Sequence, residues 1–155
     1  ELDEMRRNKV EYHNVTFSDV ISLNGIRGRK VDMELTLRPA DGEKLYQKFA
    51  LRFAQDEKYQ TAVSFRPHES VLKVDRKFGS RRAIIHQRRS LVNSTSGELK
   101  LRVILDRFSV EVFVNDGEQV MTATMYTDQA ADGISFFADG TVNMDVVKYD
   151  LVSEG

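Results

Sequence analysis

The sequence predicts an all-β chain, a two-sheet antiparallel β-sandwich of about ten strands. Three observations carry this expectation. Apolar residues recur at every second position along most of the chain, Asp-Gly pairs punctuate the runs, and no amphipathic helix of about ten residues or more can be written. A sandwich is preferred to a barrel because segments 59–66 and 133–138 carry large apolar residues at irregular phase, as expected where two sheets bury one face each.

The opening Glu1-Leu2-Asp3-Glu4-Met5-Arg6-Arg7 has no apolar core of a signal peptide, and Leu2 and Met5 allow one helical turn among charges. A chain that opens on Glu1 is expected to be processed or to be part of a longer protein; residues 1–9 are read as linker and 10–155 as the folded module. Residues 10–17 form the first candidate strand. In the second, Val31, Met33, Leu35 and Leu37 alternate with Asp32, Glu34, Thr36 and Arg38. In the third, Phe49, Leu51 and Phe53 alternate with Lys48, Ala50 and Arg52. Segments 59–66, 71–75 and 82–87 come next. Leu99, Leu101, Val103 and Leu105 then alternate with Lys100, Arg102 and Ile104, and Val110, Val112 and Val114 with Glu111 and Phe113. Segments 119–126, 133–138 and 141–151 complete the set. Asp41-Gly42, Asp116-Gly117 and Asp139-Gly140 are read as tight hairpin turns, glycine supplying the positive φ. Pro39 and Pro67 fall at strand ends, where no ladder donor is lost. The core is expected to hold Val31, Met33, Leu35, Phe49, Leu51, Val103, Leu105, Val110, Val112 and Phe136.

Composition then removes whole classes of function. The 155 residues hold 23 Lys plus Arg against 24 Asp plus Glu, a net charge of −1, which argues against nucleic-acid binding. No apolar run reaches the roughly 20 residues of a membrane-spanning helix, so no membrane partner is expected. Cysteine is absent, which excludes disulfides, thiolate metal sites and a Cys nucleophile. His13, His68 and His86 are too dispersed for a metal site, and no cofactor motif occurs, so neither metal nor cofactor is expected. Gly25-Ile26-Arg27-Gly28 reads as a turn rather than a nucleotide clamp.

Two features remain as candidate chemistry. Glu111 is an acid inside an apolar strand, but alternation sets it opposite the three valines, as an exposed strand acid would be. Asp75 and the basic run after it (Arg76, Lys77, Arg81, Arg82, Arg88 and Arg89, with no acid until Glu98) form a candidate sugar- or anion-binding segment. Guanidinium forks suit phosphate, carboxylate or vicinal hydroxyls; the competing reading is a charged edge strand. Asn14-Val15-Thr16 and Asn93-Ser94-Thr95 match the glycosylation pattern.

The stretch from Leu101 to Glu118 is the most specific. Its Asp106, Arg107, Ser109, Glu111, Phe113, Asn115, Asp116 and Gly117, set among Leu101, Val103 and three valines, resemble the signature of the C-terminal β-sandwich of glycoside hydrolase family 32. Met121-Thr122-Ala123-Thr124-Met125-Tyr126 resembles the strand that follows. Val74-Asp75-Arg76 with Phe78-Gly79-Ser80 is similar to an upstream Asp-Arg segment, and Glu1-Leu2 with Arg6-Arg7 to the linker leaving the catalytic domain.

The resemblance implies an accessory module. Enzymes of the family carry nucleophile and acid in an N-terminal five-bladed β-propeller, in motifs that need Trp and Cys or read Arg-Asp-Pro. This chain has no Trp, no Cys and no Arg-Asp-Pro, so no catalytic residue carries over. The expected role is a non-catalytic domain that packs on the propeller, stabilising or weakly oligomerising the parent enzyme. The alternative is a module recognising fructan or sucrose-type carbohydrate, because family-66 carbohydrate-binding modules have a related sandwich. The missing Trp weighs against a stacking platform, although five Tyr and nine Phe are present. An independent enzyme is the third reading. The parent's location is cytoplasmic if it is a sucrose-6-phosphate hydrolase, secreted if a levanase or inulinase. An excised docking domain is also expected to expose an apolar patch.

Overall fold

Period-two alternation can bury one face of every strand only if two layers meet, and the strand order shows how this chain achieves it. The computed structural model describes residues 5–55, 59–78, 84–90, 96–106, 109–115, 119–124 and 132–152, with 54–55, 59, 75–78, 84–90, 119 and 123–124 described by backbone alone. The described residues form ten strands: β1 (Arg6–Ile21), β2 (Val31–Pro39), β3 (Lys48–Gln55), β4 (Tyr59–Arg66), β5 (Val71–Phe78), β6 (Ile84–Ser90), β7 (Leu99–Leu105), β8 (Ser109–Val114), β9 (Gln119–Thr124) and β10 (Gly133–Leu151). Every pairing is antiparallel, and no α-helix occurs among the described residues.

The hydrogen-bonded order is β6-β5-β4-β3-β10-β2-β7-β8-β9, with β1 alongside β10. Strand β10 is shared. Its first part, Gly133–Asp139, pairs with β3, and its second, Val142–Asp150, pairs with β2, while β1 follows its other edge from Phe136 to Leu151. One half of the sandwich is therefore β6-β5-β4-β3 on the front of β10, and the other is β2-β7-β8-β9 on its rear. The far edges, β6 and β9, approach each other and close the layers.

All ten expected core residues lie between these layers, none more than 1% exposed. Phe53, Phe65, Leu72, Met121 and Met144 join them. Each fully buried side chain of this size contributes roughly 1.5–3 kcal/mol of transfer free energy. At one end the core stripe of β10 finishes in Lys148, which is 3% exposed and donates to Asp150 Oδ1 at 2.9 Å.

Several expectations need correction. Segments 133–138 and 141–151 are one strand, and Asp139-Gly140 is its bend rather than a hairpin turn. Asp41-Gly42 lies in the β2–β3 connection, whose two strands pair with β10 and not with each other. Asp116-Gly117 lies outside the described residues. Arg6–Lys9, expected as linker, belongs to β1, where Arg6 and Arg7 face Leu151 and Asp150. Strand β1 follows the long, bent β10 through three register shifts. Asn8, Asn14 and Asp19 lie at them with φ of 56°, 57° and 60°, the left-handed region that Asn and Asp tolerate best after glycine.

The β10 bend is fixed by Tyr46. Gly140 has φ +103°, and a Cβ there would fall 2.9 Å from both Cα and Cβ of Tyr46. The Tyr46 ring is 1% exposed, and its hydroxyl donates to the Gly97 carbonyl at 2.6 Å, tying the β2–β3 connection to the loop before β7. Burial raises the phenol's pKa, so it remains a donor. Gln47 N–H donates to the Asp139 carbonyl at 2.8 Å, beside the bend.

A second tie binds β1, β2 and β7. Asp32, on the outward face of β2, is wholly inaccessible. Arg102 of β7 grips both its oxygens, Nε to Oδ1 at 3.0 Å and Nη2 to Oδ2 at 2.8 Å, and Arg6 of β1 adds Nε to Oδ2 at 2.9 Å. The Arg6 guanidinium also stacks 4.5 Å from the Tyr149 ring centre. Burial alone would raise the Asp32 pKa; hydrogen bonds and charges from Arg102 and Arg6 together outweigh it and hold the carboxyl below the usual range.

Gly140→Ala is expected to cost about 1–3 kcal/mol, through positive φ and the Tyr46 contact together. Gly42→Ala, with φ +74° but nothing within 4 Å of its Cβ, should cost less. Urea midpoints of the two variants test the difference. Asp32→Asn should cost about 2–3 kcal/mol near neutral pH, below the ~3–5 of a fully buried pair because both guanidiniums retain some solvent. A depressed folded pKa contributes stability above the unfolded value, and loses it as pH falls through the folded one. Wild type and Asp32→Asn should therefore differ fully above about pH 4 and converge in more acid solution, as denaturation at a series of pH values will report.

Candidate functional site

Apolar residues of β1, β10, β2, β7, β8 and β9 point inward, so their alternate positions form a polar outer face. Three clusters occupy it. The first is the Asp32–Arg6–Arg102 tie. The second centres on Asp145 of β10, which accepts from Arg38 Nη1 at 3.2 Å, Arg38 Nη2 at 3.1 Å and the Asn14 N–H at 2.7 Å. The Arg38 bonds, then that from Asn14, hold the Asp145 carboxyl below the usual carboxylate range. Arg38 Nη2 also donates to Asn14 Oδ1 at 3.1 Å. The third is a cleft of about 290 Å³ beside this cluster, lined by Asn14, Thr16, Arg38, Asp41, Glu43 and Asn143 together with the turn from Pro39 to Ala40 and Thr141. A wider hollow continues from Arg38 past Thr36 to Lys100, Glu98 and Asn115.

The expected site residues do not gather here. Asp75, Arg76, Arg88 and Arg89 lie on β5 and β6, where Arg88 pairs with Lys73, Arg89 with Leu72, Asp75 with Ile85 and Arg76 with Ile84. Their side chains, and Arg81 and Arg82 entirely, lie outside the described residues. Strand β6 ends the strand order, as a basic edge strand would.

The signature residues build a hairpin. Asp106 N–H donates to the Ser109 carbonyl at 2.9 Å, closing the β7–β8 turn. Asn115 has φ 48°; its N–H donates to the Lys100 carbonyl at 2.8 Å, and its Oδ1 accepts from Lys100 N–H at 3.1 Å. Glu111 is exposed between Ile104 and Thr122, and Phe113 is half-buried between Arg102 and Val120. Arg107, Asp116 and Gly117 lie outside the described residues. The motif thus specifies a turn, a left-handed strand end and the three buried valines.

Sequence reasoning missed Arg6, Asp32, Arg38, Asp145 and Asn143. The available signal was a charged or amide residue at an outward position of a strand that proves central. Only the β10–β2 and β2–β7 registers, which set Arg38 against Asn143 and Asp32 against Ile104, show which charges meet.

Fructosyl-bond cleavage needs two free carboxyls across a pocket, one of them protonated. Asp32 and Asp145 are instead clamped by arginines and held ionised. No group of three or more His, Asp or Glu able to hold a metal occurs among the described residues. The arrangement suits hydrogen bonding to a polar surface or a small polar ligand.

The chain matches the family model described as Glycosyl hydrolases family 32 C terminal over residues 1–152. It is 28% identical over 153 residues to the sucrose-6-phosphate hydrolase of Staphylococcus xylosus, covering 97% of this chain and 30% of that protein. It is 29% identical over 117 residues to a levanase of Bacillus sp. (strain L7), covering 72% and 12%. The exo-inulinase of Aspergillus awamori shares the fold with a TM-score of 0.76 at 18% identity, covering 98% of this chain and 31% of that one. The chain spans less than a third of each of these proteins. With its signature hairpin in place and a family match running almost end to end, the chain belongs to the glycosyl hydrolase family 32 C-terminal domains.

Proposed function

We propose that this domain is a non-catalytic accessory module of a sucrose- or fructan-hydrolysing enzyme, packing on and stabilising a catalytic domain supplied by the rest of its protein. One observation carries the reading. The match is to a C-terminal domain model, and the chain spans less than a third of relatives named for hydrolysis of levan and sucrose 6-phosphate.

An excised apolar patch was expected, but the large exposed apolar residues among those described are Val20, Val120 and Val152, on β1, on β9 and just past β10. Inter-domain surfaces within one chain are commonly more polar than obligate interfaces, so docking does not need such a patch. Self-association, the other accessory role, gains no support from three scattered valines.

The purified chain should release no fructose from sucrose, sucrose 6-phosphate, inulin or levan. Added to the separately produced remainder of its protein, it should raise that part's melting temperature. Turnover that survives purification and is lost in Glu111→Gln would overturn the non-catalytic reading. An unchanged melting temperature would overturn the stabilising one.

A further inference from the structure

We propose that the cleft between β1, β10 and β2 is a binding site for one neutral sugar residue. Its lining alternates groups that pair with hydroxyls: the amides of Asn14 and Asn143, the Thr16 hydroxyl, the Arg38 guanidinium, and the carboxylates Asp41 and Glu43. A hydroxyl donates once and accepts twice, so a polyol needs donors and acceptors together, as this lining provides.

The site is built before any ligand arrives. Two carboxylate contacts from Asp145 and one from Asn14 Oδ1 fix Arg38, leaving its Nε–H and one Nη1–H for other acceptors. Asn143 Nδ2 donates to Thr16 Oγ1 at 2.9 Å, while Asn143 Oδ1 is buried with no protein partner. Ala40 N–H donates to the Thr141 carbonyl at 3.4 Å, tying the rim to β10. Preorganisation of this kind lowers the ordering cost of binding.

Charge and size select the ligand. Asp41 and Glu43 are the carboxylates of the lining, and its single cation, Arg38, is already paired with Asp145, so a phosphate or carboxylate is repelled and a neutral sugar is not. About 290 Å³ is at the lower end of small-molecule clefts, enough for a single ring. No aromatic side chain lines it, so affinity rests on hydrogen bonds alone and falls in the millimolar range. The cleft flanks the Thr16–Asn143 pair, whereas β1 begins at the Arg6–Leu151 pair, on the order of 30 Å away along the strand.

The test is an amide NMR titration of the 155-residue chain with fructose and sucrose, and with fructose 6-phosphate as the charged counterpart. Saturable shifts confined to residues 14–16, 38–43 and 141–143, with millimolar Kd and weaker binding of the phosphate, are expected. The double variant Asp41→Ala/Glu43→Ala, whose side chains lie on the exposed β2–β3 connection, should keep the remaining spectrum and lose about tenfold in sugar affinity. Absence of shifts at about 100 mM sugar, shifts centred elsewhere, tighter binding of the phosphate, or undiminished binding by the double variant would each overturn the proposal. None of these outcomes bears on the non-catalytic reading, which the fructose-release assay tests.

Discussion

Strand β10 runs through both halves of the sandwich, and its bend at Asp139–Gly140 is the constraint on which the other pairings depend. A straight strand of 19 residues would span on the order of 60 Å and could serve only one layer. Bent, it offers β3 a partner on one side of Gly140 and β2 a partner on the other, and each seeds a four-strand run. The close approach of Tyr46 to Gly140 makes the bend specific, since a side chain at 140 would occupy the space of the Tyr46 backbone. The Tyr46 hydroxyl then reaches Gly97, so one residue joins the bend, the connection between layers and the loop that opens β7. A buried phenol must spend its hydroxyl on a partner, and here the partner lies on another element.

The polar face obeys a different economy. A buried carboxylate is tolerable only when its charge and lone pairs are met, and Asp32 is met by Arg6 and Arg102 from the strands either side of the β10–β2 pair. This contact pins the first residues of β1 to the sheet through side chains as well as backbone. Asp145 does the same midway along β1 with Arg38 and Asn14. Between them β1 stays an edge strand guarded by charge and by three bulges, features that discourage pairing with another chain.

Membership of the family and the geometry of its signature belong together. The residues that make Leu101–Gly117 recognisable include those that turn β7 into β8 and end β8 in a left-handed residue, so the motif is specific for a structural reason. The polar outer face of this scaffold holds hydrogen-bond donors and acceptors that are already positioned. The cleft by Arg38 lies on that face, and its acidic rim distinguishes it from the basic β5–β6 edge.

By itself the sequence determined the fold class, the ten core residues and the place of Pro39 and Pro67, because alternation and ring geometry are local properties. The family signature was legible for the same reason: a hairpin is written in consecutive residues. Tertiary structure alone decided that 133–138 and 141–151 are one strand, since Asp-Gly permits a hairpin or a bend and only the position of Tyr46 chooses between them. It decided too that Arg6 is a structural residue rather than linker, because its partner Asp32 is 26 positions away. The cleft is the clearest case. Asn14, Arg38 and Asn143 are polar residues on three strands with no local pattern that links them, and the register of β10 against β1 and β2 brings them side by side. Register across distant strands is set by the packing of both faces at once, which no local pattern encodes.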